Sequence, residues 1–246
     1  MIEKRDLEYF NRGKIENEKF WRRFGHQPDF KDKTFLDFGC GHGSLCVDLA
    51  KNGAKSVNGI DLEDKLLSFA NENLKKNYSQ FVSKIEFTKK DLLKTNFNKE
   101  FDVIVTKDTF EHTLNLPKVL DKFYEILKKD GKVYAGFGPL YNSFNGDHGR
   151  TQLKFPWLHV ILSDTYIVNR YNKNNEIKIN KIEDLGLNKY SFKDYEKIFN
   201  NSNFEIETFI TNQSDHPVSS IFNLLSKINF IKEFFTYNIY CVLKKN

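Results

Sequence analysis

From residue 34 onward, short apolar runs alternate with amphipathic ones, and that alternation leaves few folds open. "TFLDF" (34–38), "KSVNGI" (55–60), "KIEFTK" (84–89), "FDVIVT" (101–106) and "KVYAGFG" (132–138) read as strands. Between them, 44–53, 63–77 and 116–131 carry helical spacing, the last with Pro117 near its start and Gly131 at its end. The run 101–106 is almost wholly apolar, as suits a strand covered on both faces. Strands separated by helices build βαβ units, and so a doubly wound α/β fold on a parallel sheet.

The flanks follow other rules. Residues 1–33 read as a helical segment and connector, with Pro28 ending any helix. Residues 139–190 show no clean period, and a stretch that long is more than a connection. Its aromatics, Tyr141, Phe144, Phe155 and Trp157, mark it as a substrate-side insert or lid. Residues 191–246 close the chain: the helix at 190–203 and the strand at 204–211 are followed by an amphipathic helix at 219–235 and a last strand at 237–245. We read 1–246 as one domain, with 34–138 as its ligand-binding core.

Composition narrows the partners. With 38 basic residues interspersed among 33 acidic ones and no basic run of five, a net charge of +5 gives no nucleic-acid footprint. Three cysteines without a CxxC pair exclude a disulfide framework or a zinc knuckle. The start, "MIEKRDLEYF", lacks an apolar signal core. No apolar run approaches the roughly 20 residues of a membrane span, so a cytoplasmic location is expected. Peripheral membrane contact through 219–235 is compatible with Lys227 and Lys232 on its polar face. Nothing in the sequence speaks to oligomeric state.

The loop "LDFGCGHGSL" (36–45) follows the first strand and opens a helix, where doubly wound sheets bind ligands. Gly39, Gly41 and Gly43 bring the third glycine one residue early for a dinucleotide fingerprint. Asp61 lies 22 residues after Gly39 at the end of the second strand, a distance suited to gripping ribose hydroxyls. Asp91 fits equally as the N-cap of a short helix at 92–95.

"FLDFGCGHGSL", "GIDLED", "KKDLL" and "FDVIVTKDTFEH" occur in order, each at a strand end. Together they resemble the class I S-adenosylmethionine-dependent methyltransferases, in particular the small-molecule branch that includes ubiquinone-type O-methyltransferases. The resemblance implies a Rossmann-like sheet of seven strands in the order 3-2-1-4-5-7-6, with an N-terminal helical segment and an insert after strand 5. It implies S-adenosyl-L-methionine as cofactor and S-adenosyl-L-homocysteine as product. It assigns Asp37 and the backbone of Lys107 to the methionine amine, with Gly39, Cys40 and Gly41 along the methionine part. Asp61 falls to the ribose, Leu62 and Leu92 to the adenine ring, and Asp91 to the adenine amino group. A lysine at 107, where the family carries an apolar residue, is a departure that leaves the backbone contact intact.

Methyl transfer to a hydroxyl needs a base. His148 in "FNGDHGR" is the favoured candidate, ahead of His112 after strand 4 and His159 in "FPWLHVIL". Arg150 is placed to bind an anionic substrate, with Tyr141 and Trp157 walling the acceptor. Asp108, Asp147 and His148 make no dense carboxylate cluster, so no metal is expected. His42, between two glycines, is expected to line the cofactor or face solvent. An N-methyltransferase, an RNA-modifying enzyme and a non-catalytic cofactor-binding partner are the competing readings. A nicotinamide dehydrogenase fits the fold alone.

Overall fold

The computed structural model describes residues 3–98, 100–215 and 218–246, with Val218 described by its backbone alone. Five strands run parallel: Thr34–Phe38 (β1), Ser56–Asp61 (β2), Ile85–Lys89 (β3), Phe101–Lys107 (β4) and Leu127–Phe137 (β5). Glu205–Thr211 (β6) and Ile239–Lys244 (β7) complete one seven-stranded sheet in the order β3-β2-β1-β4-β5-β7-β6. β7 is antiparallel to both neighbours, β5 and β6. The strand order reverses beside β1, which lies between β2 and β4, and this opens a crevice at the carboxyl ends of both.

Helices cover both faces. Lys4–Phe24 (α1), Ser44–Lys51 (α2) and Asp64–Asn77 (α3) bury Phe10, Trp21, Leu49 and Leu74 against Phe35, Val57 and Val105 of the sheet. On the opposite face, Leu116–Ile126 (α4) sets Leu120 and Phe123 against Leu36, Ile104 and Val133. Side chains alternate across each strand, so Phe35 and Leu36 enter different cores.

The insert after β5 is more ordered than its aperiodic sequence suggests. It holds Leu158–Ile161 (α5), Asp164–Asn174 (α6) and a 3₁₀ turn at Ile182–Leu185. Tyr141, Ile167, Ile182 and Leu187 form a small core of its own. Phe192–Asn200 (α7) then returns to the sheet, placing Phe192, Tyr195 and Phe199 in the α4 core.

Two boundaries depart from the expected ones. The α4 helix stops at Ile126, because residues 127–131 extend β5: Leu127 is fully buried and pairs with Phe101. Asp130 N–H donates to Lys245 O, and Lys245 N–H donates back to Gly131 O. Residues 219–235 are not one helix but Val218–Leu225 (α8) and Lys232–Phe235 (α9), joined by turns. Glu233 in α9 accepts from the N–H groups of Phe192 and Lys193 at 2.8 and 3.1 Å, so this residue serves the start of α7. No described helix is long and apolar enough to cross a membrane.

Candidate functional site

The loop between β1 and α2 turns on glycines in the left-handed region. Gly39 and Gly43 have φ of 78° and 79°. A side chain at Gly39 would strike the Thr109 hydroxyl, and one at Gly43 the Phe87 ring. The Gly39 and Cys40 N–H groups donate to Ile60 O at 2.9 and 3.1 Å. Gly41 N–H donates to Oδ2 of Asp61 at 2.8 Å, while Oδ1 accepts from Leu62 and Glu63 N–H at 2.7 and 3.0 Å. One carboxylate thus ties the loop to the start of α3.

Asp37 is buried in β1, and Cys46 Sγ donates to its Oδ2 at 3.1 Å. Burial pushes its carboxyl up to about 7, against the downward pull of the Cys46 hydrogen bond and the Lys107 charge. At the end of β4, Lys107 Nζ donates to Asn17 Oδ1 of α1 at 2.8 Å. Burial holds that ammonium below the ordinary lysine value although Asp108 and Asp37 oppose it. Asp108 itself, with φ of 54°, is pushed up by burial.

These groups border a cavity of about 1320 Å³. All of the residues expected to hold the cofactor line it, from Asp37 and the glycine loop to Asp61, Leu62, Asp91, Leu92 and Lys107. Asp91 also caps the 3₁₀ turn Leu92–Lys94, accepting from Leu93 N–H at 3.0 Å. Helix α1 supplies a wall that the sequence did not announce, through Tyr9, Glu16 and Lys19. His42 lines the cavity with its ring 4.6 Å from that of Tyr9 and 5.1 Å from that of Phe69. Its Nε2 is 3.5 Å from Asp6 Oδ1 of α1.

His112 and Arg150 line the same cavity. His112 Nδ1 lies 2.7 Å from Gly186 O, and its Nε2 lies 3.4 Å from Arg150 Nη2. A carbonyl only accepts, so Nδ1 carries the proton and Nε2 of the neutral ring holds the lone pair. Burial, then the Arg150 charge, lowers the His112 pKa. Arg150 Nη1 donates to Leu185 O and Gly186 O at 2.6 and 3.0 Å, tying two parts of the insert together, and the His112–Gly186 contact joins them to the loop after β4.

The other candidates sit outside the cavity lining. His148, at φ 52°, packs its ring 4.8 Å from that of His112 and points Nε2 at Pro139 O across 3.0 Å. Burial, then the His112 charge, pushes its pKa down to about 4. His159 is buried, with Nε2 2.6 Å from Tyr141 O. Tyr141 belongs to the insert's core, and Trp157 donates from Nε1 to Phe234 O at 3.2 Å. Of the aromatics that mark the insert, Tyr141 packs in its core, Phe144 and Trp157 pack on Phe222 of α8, and Phe155 is exposed.

Sequence reasoning passed over Glu111. Its Oε1 accepts from Gly138 N–H at 3.2 Å, its Oε2 is buried without a hydrogen-bond partner, and burial pushes its carboxyl well up. Glu111, His112 and His148 bring their ionisable atoms within 4.8 Å of one another, a grouping that could take a cation. The signal was the "EH" pair, but its third member lies on a different loop, 36 residues from His112.

A methyltransferase-domain family model matches residues 29–136. Over 123 residues the chain is 33% identical to phosphoethanolamine N-methyltransferase 2 of Caenorhabditis elegans, covering 49% of this chain and 27% of that protein. Over 105 residues it is 32% identical to the ubiquinone biosynthesis O-methyltransferase of Nitrosomonas europaea, covering 42% of this chain and 43% of that protein. The chain therefore spans less than half the length of these relatives. Magnesium protoporphyrin IX methyltransferase from Synechocystis, solved with S-adenosylhomocysteine, shares the fold with a TM-score of 0.57 at 15% identity, over 98% of this chain and 86% of that one. The matched region coincides with the strands and the glycine loop that build the cavity, so residues 29–136 are similar to a methyltransferase domain and the whole chain shares the fold of S-adenosylmethionine-dependent methyltransferases.

Proposed function

We propose that the chain binds S-adenosylmethionine in the glycine-loop cavity and transfers its methyl group to a hydroxyl of a small-molecule acceptor. The lining suits that cofactor. Asp37 and the Lys107 backbone would hold the amine, Asp61 the ribose hydroxyls, and Asp91 the adenine amino group, with Leu62 and Leu92 against the ring. Bound there, the cofactor supplies a methyl group on a positively charged sulfur. Buried carboxylates beside the cavity, Asp37 and Asp108, suit a cationic ligand.

The observation that carries the acceptor reading is His112 Nε2, a neutral nitrogen with its lone pair in the same cavity as the glycine loop. That nitrogen would take the proton of the acceptor's hydroxyl. His148 supports the His112 ring from behind, and Arg150 binds an anionic group of the acceptor. The insert keeps water from the transfer.

The test is turnover of the cofactor against a panel of phenols, hydroxy acids, sugars and amines, with His112→Ala and His148→Ala beside the native chain. Loss of about 10²-fold or more in kcat for His112→Ala, at undiminished S-adenosylhomocysteine affinity, supports the reading. Unchanged turnover overturns the base. Turnover of amines alone redirects the reading to N-methylation, and none with any acceptor redirects it to a binding protein.

A further inference from the structure

The stretch 218–232 reads "VSSIFNLLSKINFIK" and contains no acidic residue. Its inward side is settled: Phe222 is buried, its ring 5.4 Å from that of Phe144 and 5.3 Å from that of Phe235. Its outward side is apolar. Ile221 and Leu224, one helical turn apart on α8, are 57% and 65% exposed, and Phe230 in the following turn is 81% exposed. The segment beside it adds Phe155 and Ile161, 71% and 74% exposed. Trp157 joins the two segments, with its ring stacked 6.5 Å from that of Phe222. Exposed large apolar groups gathered in this way mark an interaction surface.

Charge selects the partner. Lys154 and Lys227 are exposed and have no acidic partner among the described residues. The acids nearby are turned to other work: Glu233 caps α7, Glu196 lies 3.5 Å from Lys232, and Asp164 pairs with Lys189. A second copy presenting the same face would set lysine against lysine with no counter-charge. A bilayer interface rich in anionic headgroups satisfies both features, taking the apolar side chains at its acyl boundary and the lysines among its phosphates.

We propose that the outward face of α8 and its following turn, with the neighbouring 155–161 segment, docks the protein on an anionic lipid surface. The test is co-sedimentation of the full chain with vesicles of phosphatidylcholine alone and of phosphatidylcholine with phosphatidylserine. It is done without cofactor or acceptor, so it is independent of methyl transfer. Binding to the anionic vesicles, weakened by added salt, and about tenfold or more weaker in a Leu224→Gln, Phe230→Gln double variant with native circular dichroism, is the expected result. A double variant that fails to fold is replaced by Lys154→Glu with Lys227→Glu, which removes the charge alone and is expected to abolish the preference for anionic vesicles. No binding, equal binding to both vesicles, or variants that bind as the native chain does would overturn the proposal. A native chain that is dimeric in solution and becomes monomeric in the double variant would assign the face to a second copy instead.

Discussion

Cys46 donates its thiol hydrogen to Asp37 across 3.1 Å, with both side chains out of solvent. Burial pushes this carboxyl up to about 7 in the folded chain, although the Cys46 hydrogen bond pulls it down. The folded state therefore binds this proton more tightly than the unfolded one. The contribution of Asp37 to stability is fully present at low pH and is lost as pH rises from about 4 through 7. The full cost above pH 7 is on the order of 4 kcal/mol. Asp37→Asn should raise the Tm of the ligand-free protein at pH 8 and leave it unchanged at pH 4, read by calorimetry.

The same carboxyl makes cofactor affinity depend on pH. The ligand's α-ammonium group favours the ionised carboxylate, so S-adenosylhomocysteine should bind more tightly as pH rises through about 7 and level off above it. Asp37→Asn should flatten that curve and weaken binding at pH 8 by about tenfold or more. A native curve already flat between pH 6 and 8 would remove Asp37 from the amine site.

Gly39→Ala should disable the cradle. The new methyl group would be placed at φ 78° against the Thr109 hydroxyl. Left-handed strain costs about 1–2 kcal/mol before Thr109 moves. Expected are a lower Tm and a loss of S-adenosylhomocysteine affinity of about tenfold or more, both read by titration and melting.

The rate profile reports on His112. Burial and Arg150 place its pKa below 6.5. A base needs its neutral form, so the acid limb of kcat should lie below the ordinary histidine range. Arg150→Ala removes one cause of the lowered pKa, and the acid limb of kcat should move to higher pH.

His159 tests the opposite case. With Nε2 on Tyr141 O and its ring edge-on to Tyr141 at 5.2 Å, it is part of the insert's packing. His159→Ala should cost about 1–3 kcal/mol of stability in urea unfolding while S-adenosylhomocysteine affinity stays native.

The sheet was legible because its strands are buried on both faces and read as apolar runs. Thr34–Phe38 and Phe101–Lys107 emerge within a residue or so of their expected bounds. The lining of the glycine-loop cavity was legible because Asp37, Asp61, Asp91 and Lys107 stand at or near strand ends, a position that sequence order marks. The surroundings of His112 were not. Gly186 O, which orients His112, is a backbone atom of a glycine 74 residues away, and no residue type announces such a contact. Tyr141 and Trp157 looked like pocket walls because aromatic side chains suit either a pocket or a small core. Contacts that cross the chain, such as Trp157 with Phe222, decide between the two. The helix boundary at Ile126 was hidden by "LKKDG", whose lysines and glycine imitate a helix end while Leu127 is drawn into the sheet.

Isothermal titration of the native chain with S-adenosylhomocysteine, repeated in excess NAD, asks whether the glycine-loop cavity takes S-adenosylmethionine. One site per chain is expected, unaffected by NAD and weakened about tenfold or more in Gly39→Ala. No heat with S-adenosylhomocysteine, or its displacement by NAD, would contradict it.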